Sequence, residues 1–355
     1  MVRPRRRLVV GVLVIVGVVL CVATLRLGMK WKHALDNVDA MRVAPVALPT
    51  QTPEPQTLGG LPVEPRSLPA PTPIPAPDAS MNILLLGTDA RVGDQVSRTD
   101  AVILVHLDPR GDRVSMLSFP RDLWVTIPGY GKNKINAAYP IGERQLGAGY
   151  GPALAKETVG ELVGLSVQHV VMINFEGFKA LIDKLGGIYI DVPKAIDDDK
   201  YPMDAYEGDL RTMKIHFDAG RQLMDGTTAL IYSRTRHADS DFGRNQRQQQ
   251  VLLAIFDRIR EQGLLTQLTS LDDYTDALRD YVRTDLSRSE MLRLASLGPR
   301  LHAENIERYV ISPKMVVAMK NSTALQLTDL KELRRLVEQM VGDSVASAGG
   351  ENPKR

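Results

Sequence analysis

The chain is 355 residues long and 44% hydrophobic, which suffices for one large or two ordinary domains with a sizeable core. Its formal net charge of +2 excludes the strongly basic domain of a nucleic-acid binder, so no nucleic-acid partner is expected and any anion site must be local. The single cysteine, Cys21, excludes a disulfide framework.

Residues 8–25, LVVGVLVIVGVVLCVATL, are uncharged and follow Arg3, Arg5, Arg6 and Arg7. That pattern predicts one membrane-spanning helix with its N-terminus in the cytoplasm: residues 1–33 form the cytoplasmic start and anchor, and everything beyond lies outside. Leu20 stands where a lipobox needs a small residue, so no lipid is expected on Cys21. Eleven of the 22 prolines fall between residues 44 and 80. Residues 34–80 are therefore expected to be a Pro-rich, extended linker, which at ~3.1 Å per residue reaches on the order of 100 Å from the bilayer.

A folded domain is predicted over 81–343, followed by a disordered tail over 344–355. It opens with MNILLL (81–86), a buried strand running into Gly87, Thr88 and Asp89. Thr99 and Asp100 precede a second apolar strand, AVILVHL, and the turn at 108–112 joins it to a third, RVSMLSF, which ends at Pro120, Arg121 and Asp122. If the first two strands pair antiparallel, Asp89 and Asp100 share one sheet edge, and the third strand brings Arg121 back to it. Charges at the ends of fully apolar strands mark sites in α/β sheets. The glycine-bearing loop over 129–136 adds Lys134 and Asn136 within reach of an anionic ligand.

Helical patterns over 152–165 and 174–186 flank the strand VQHVVMI, and GGIYIDVP reads as a further strand. The acidic stretch AIDDDKYPMDAYEGD, with Asp197 to Asp199, lacks the spacing and glycine of a calcium loop and is expected to be a solvated loop.

Residues 228–260 carry the densest signal. An apolar strand is predicted to lead into Arg234 and Arg236, which two-residue spacing places on one face, while Arg244, Arg247 and Gln248 recur at helical spacing. Ser240 or Asp241 can cap that helix. Guanidinium groups beside a helix N-terminus suit phosphate, and two linked phosphates better than one. Helical patterns and one strand, near ERYVIS, complete a single α/β domain of helices layered on a mixed sheet. With aspartates as hard oxygen ligands for Mg²⁺ and arginines for phosphate oxygens, these residues permit phosphoryl transfer. No phosphate-binding G-x-x-x-x-G-K-[ST] loop and no G-x-S-x-G elbow is present.

NILLLGTDAR, SRTDAVILVHLD, SMLSFPRDLWV, KINAAY and YSRTRHADSDFGRNQRQQQ resemble, in order, the signature segments of the LytR-CpsA-Psr family of cell-envelope phosphotransferases. The resemblance implies a three-layer α/β/α fold that binds a polyprenyl-pyrophosphate lipid, with the tail in an apolar tunnel and the head group at the sheet edge. It implies transfer of a glycopolymer from that lipid to peptidoglycan. By motif, Asp89, Asp100, Arg121 and Arg244 form the catalytic set, Asp89 and Asp100 holding Mg²⁺. Arg98, Arg121, Lys134, Asn136, Arg234, Arg236, Arg244, Arg247 and Gln248 meet the substrate, with Asp241 and Gln249 in support. Two other readings stand beside it: hydrolysis of the same pyrophosphate, and a non-enzymatic lipid-binding regulator or transcriptional attenuator.

Overall fold

A computed structural model of the protein describes residues 29–49, 57–58, 61–62, 80–89, 97–108, 113–203, 211–236, 240–269 and 271–342. The expected membrane span and tail lie outside the described residues, as does most of the Pro-rich stretch. Among the described residues no helix is long and apolar enough to cross a membrane.

The apolar runs read from the sequence become the middle of a six-stranded sheet. Its strands are β1 (Met81–Thr88), β2 (Thr99–Leu107), β3 (Val114–Phe119), β6 (His169–Asn174), β11 (Val282–Thr284) and β12 (Ile306–Val310), in the order β11-β6-β1-β2-β3-β12. β1 pairs antiparallel with β2 and parallel with β6, while β12 adds parallel to β3, so the sheet is mixed. Successive side chains point to opposite faces, and because both faces are apolar, both need cover. Leu84, Leu86, Leu104 and Leu117 pack against α2 (Tyr150–Val163) and α8 (Leu330–Val341). Ile83, Ile103, Val105 and Met116 pack against Leu252 and Phe256 of α5 (Asp241–Thr269) and Met291 of α7 (Arg288–Leu297). The three-layer architecture follows from this double cover.

β4 (Leu123–Ile127) and β5 (Gly131–Lys134) form a hairpin that leaves the sheet directly after Arg121. α3 (Phe175–Lys184) follows β6, its first turn capped by the Asn174 side chain, which accepts from the Gly177 amide at 2.9 Å. Two ribbons come next: β7 (Ile188–Val192) pairs with β10 (Gly220–Met224), and β8 (Ile196–Pro202) with β9 (Thr212–Phe217).

Three expectations are corrected. TALIYSR is not a strand: residues Gly226–Arg234 form helix α4, because the Asp225 side chain accepts from the Thr228 amide at 2.7 Å and Ala229 and Tyr232 bury at three-residue spacing. Gly226 is needed there, since a Cβ would stand 2.3 Å from the Lys179 carbonyl oxygen. The acidic stretch from Ile196 is strand β8 rather than a solvated loop. The expected linker is also not extended from residue 34, because residues 29–41 form a helix, α1, against the domain.

One buried polar pair sets a pH dependence. His106 on β2 donates from Nδ1 to Asn82 Oδ1 at 2.7 Å, and its buried Nε2 has no partner. Burial, aided by the Arg113 charge, pulls its pKa down to about 4. The unfolded chain therefore binds this proton first, so stability should fall as pH drops from about 6.5 towards 4, by on the order of 3 kcal/mol. Denaturation midpoints across that range should lose this slope in His106→Gln.

Candidate active site

Strand direction delivers the acidic residues. In the β1–β2 register Thr88 faces Thr99, with an irregularity after Gly87, so Asp89 and Asp100 emerge at one edge. A Cβ on Gly87 would approach Ala101 Cβ to 3.1 Å, so a bare glycine lets the strands meet closely at this bend. Arg121 stands in the turn after β3, its carbonyl accepting from the Asn136 amide at 3.3 Å. Its Nη1 donates to Asp100 Oδ1, while Nε lies 3.8 Å from Asp122 Oδ2. Burial opposes the charge on Arg121, but Asp100 outweighs it and raises its pKa. Asp89 is open to solvent on one side and crowded by protein on the other. That crowding, together with the charge of Asp100, pushes its carboxyl up, with only partial relief from Ser97 and Arg234.

The opposite wall is built around Thr235. α4 ends at Arg234, and Thr235 turns extended (φ −57°, ψ 141°). Its amide donates to Ile231 O at 3.0 Å and its hydroxyl to Asp198 Oδ2 at 2.6 Å, while its carbonyl accepts from Arg247 Nη2. A residue pinned from three sides holds its neighbours Arg234 and Arg236 on the cleft. Arg234 also stacks 4.4 Å over the Phe175 ring and donates to the Tyr201 hydroxyl at 3.2 Å. Ser240 caps α5, accepting from the Gly243 amide at 3.3 Å, and one turn later comes Arg244.

Arg244 is 3% exposed. Its Nη1 sits 3.4 Å from Asp241 Oδ1, yet its buried Nε and Nη2 have no hydrogen-bond partner. Burial, then the nearby charges of Arg121 and Arg236, make its protonated form less favourable than usual. Buried charged donors are costly unless something accepts from them. Asp100, Arg121, Arg234, Arg236, Arg244 and Gln248 line one cleft of about 80 Å³, with Asp198, Tyr201 and Pro202 on its wall.

The remaining expected residues fall elsewhere. Arg98 is exposed just before β2 and is not among the cleft-lining residues. Lys134 Nζ pairs with Asp122 Oδ1 at 2.7 Å and donates to Thr323. Asn136 supports the Arg121 backbone. Arg247 donates from Nε to Tyr232 O at 3.1 Å as well as to Thr235, so it shapes the arginine wall instead of lining the cleft. Gln249 ties α5 to Ser118 and to Tyr309 O, each at 2.8 Å.

Asp198, 1% exposed, and Tyr201 were missed. A register irregularity between them turns both inward, which simple alternation does not forecast. Thr235→Val should remove the Thr235 hydroxyl's hydrogen bond to buried Asp198, lowering stability by about 1–3 kcal/mol and loosening anion binding. Denaturation and pyrophosphate titration of the variant check this.

Fold and site together define an α/β domain whose mixed sheet carries, at one edge, a basic cleft beside two carboxylates. The chain belongs to the LytR_cpsA_psr family, whose sequence model matches residues 63–341. It is similar to the polyisoprenyl-teichoic acid–peptidoglycan teichoic acid transferase TagU of Oceanobacillus iheyensis, 38% identical over 217 residues, which are 61% of this chain and 62% of that protein. The match thus spans less than two thirds of that relative. Among solved structures it resembles Bacillus subtilis TagV, with TM-score 0.57 and 29% identity over 74% of this chain and 97% of that one. It also resembles the family protein YwtF (TagT) with bound octaprenyl pyrophosphate lipid, with TM-score 0.52 and 25% identity over 75% and 91% of the two chains.

Proposed function

We propose that the protein is a membrane-anchored, extracytoplasmic phosphotransferase that moves a glycopolymer from a polyprenyl-pyrophosphate carrier to peptidoglycan. The observation that carries this reading is Arg244, which lines a cleft with Arg121, Arg234 and Arg236 and keeps two buried donors without a hydrogen-bond partner. Linked phosphates supply enough acceptor oxygens for all four, and planar guanidinium pairs suit them. The family membership, the transferase relative and the lipid-bound neighbour support the same reading.

Asp89 and Asp100 fit a Mg²⁺ ion, because their carboxylates repel, and Mg²⁺ commonly takes one or two carboxylates with water and phosphate oxygens. Among the described residues no group of three or more potential ligands gathers, which leaves any such ion dependent on the substrate for its remaining oxygens. The bound ion would neutralise charge developing on the phosphates.

The chain's own residues then position the reaction. Arg234, Arg236 and Arg244 clamp the pyrophosphate, and Arg121, held by Asp100, neutralises its near side. An acceptor hydroxyl attacks the glycan-side phosphorus, the bridging P–O bond breaks, polyprenyl phosphate leaves, and the hydroxyl proton passes to solvent or a base. Stabilising this charge in place is the main catalytic demand of phosphoryl transfer.

The test incubates the purified protein with a lipid-pyrophosphate glycan, Mg²⁺ and peptidoglycan. Covalent attachment of glycan with release of polyprenyl phosphate is expected. Free phospho-glycan alone would make it a hydrolase, and tight lipid binding without either product would make it a binding or regulatory module. A C-terminal reporter active only in the cytoplasm should stay silent; a strong signal would reject the topology.

A further inference from the structure

Residues 29–49, which the sequence assigns to anchor and linker, are a fixed part of the folded body. α1 lies against α6 (Leu271–Leu278) and the residues around β11. Lys30 Nζ stands 3.0 Å from Asp272 Oδ2, and Arg288 Nε donates to Asp39 Oδ1 at 2.8 Å. Asn37 Nδ2 donates to Asp276 Oδ1 at 2.7 Å, and Ala34, Asn37 and Met41 are buried.

The chain leaves α1 as a strap. Arg42 bridges Thr284, Val43 donates its amide to Thr284 O at 2.8 Å, and Arg42 Nε donates to Leu286 O at 3.1 Å. Leu48 packs against the core on the α2 side of the sheet, and Pro49 and Val167 line one cavity of about 580 Å³. At the other end of the Pro-rich stretch the Asn82 amide donates to Gln168 Oε1 at 2.7 Å, and the Gln168 amide to Asn82 O at 3.1 Å. The chain thus departs at a cavity that Val167 also lines and, on its return, is fixed to Gln168 at Asn82.

We propose that the Pro-rich stretch is not a tether: α1 and the strap clamp the membrane side of the chain directly onto the domain, and mechanical connection to the bilayer bypasses residues 50–79. The membrane part of this inference rests on reading 8–25 as a span. Between residue 25 and α1 the backbone reaches at most ~14 Å, so the domain faces the lipid surface at short range, where a stand-off linker would allow on the order of 100 Å. The docking itself needs no membrane. It consists of a buried helix face, half-buried hydrogen bonds and a backbone bridge, contacts that persist when the covalent link is cut.

The experiment places a site-specific protease sequence between residues 65 and 72 of the full chain. After cleavage in isolated membranes the folded domain should still sediment with them, and after detergent extraction the two fragments should co-elute on size exclusion. Ala34→Arg, which forces a charged side chain into the buried face of α1, should let the cut domain enter the soluble fraction while the uncut chain still sediments. If that variant fails to fold, Asp39→Arg should weaken co-elution and the double exchange with Arg288→Asp should restore it. Release of the cut wild-type domain with separate elution of the fragments would overturn the proposal. So would retention unaltered by both α1 variants, which would place the attachment elsewhere. Should even the uncut chain fail to sediment, the membrane reading falls, and co-elution alone still decides the docking.

Discussion

Arg244→Lys should lower transfer activity and pyrophosphate binding about ten- to a hundred-fold although charge is retained. Lysine offers a point charge where Arg244 presents Nε and Nη2 as a planar pair of buried donors, and losing a charge-assisted hydrogen bond costs roughly 1.5–3 kcal/mol. Arg234→Lys and Arg236→Lys should fall in the same range, Arg234 losing its stack on Phe175 as well. Lys331→Arg and Arg334→Lys are the controls. Both residues sit on the exposed side of α8, where Arg334 pairs with Glu338 one turn away, and such a solvated face does not depend on donor geometry. Activity and isothermal binding of all five variants decide the matter. Small, equal effects throughout would mean that the arginines are merely a basic surface.

Asp89→Ala should abolish Mg²⁺-dependent turnover, by about two orders of magnitude or more, because a metal ion's charge stabilisation amounts to several kcal/mol. The same substitution should leave metal-free stability unchanged or slightly higher, since crowding and Asp100 already disfavour the Asp89 carboxylate. Activity measured against Mg²⁺ concentration, alongside denaturation without metal, separates the two effects. A large stability loss with Mg²⁺-independent activity would assign Asp89 a purely structural role. Asp100→Ala is the less clean probe, because it also strips Arg121 of its ion pair.

Those two acidic residues were legible because their positions follow from strand direction alone. Apolar runs fix the three strands, antiparallel pairing fixes the edge, and Asp89, Asp100 and Arg121 converge. The arginines of α5 were legible from helical spacing, but which way each points was not. Arg244 and Arg247 lie one turn apart, and only the packing of Tyr232 and Thr235 decides that the second turns inward. TALIYSR misled because its β-branched and aromatic content suits a strand, whereas the cap that makes it a helix, Asp225, lies upstream of it. Asp198 was hidden by a register irregularity, and α1 by partners more than 230 residues away, such as Asp272 and Asp276. Local periodicity carries no information about contacts of that range.

The two unsatisfied donors of Arg244, Nε and Nη2, also bear on the life of the protein in the cell. A state that buries unsatisfied charged donors among other cations is less stable than the same fold with an anion seated, and anything that binds only the folded form raises its stability, by about 2.7 kcal/mol at a hundred times the dissociation constant. Copies with an anion seated in the cleft are thereby protected, while empty copies open more often and are more exposed to proteases. Differences of that size change abundance several-fold, so under the proposed function the amount of this protein would track the supply of the anion that fills the cleft.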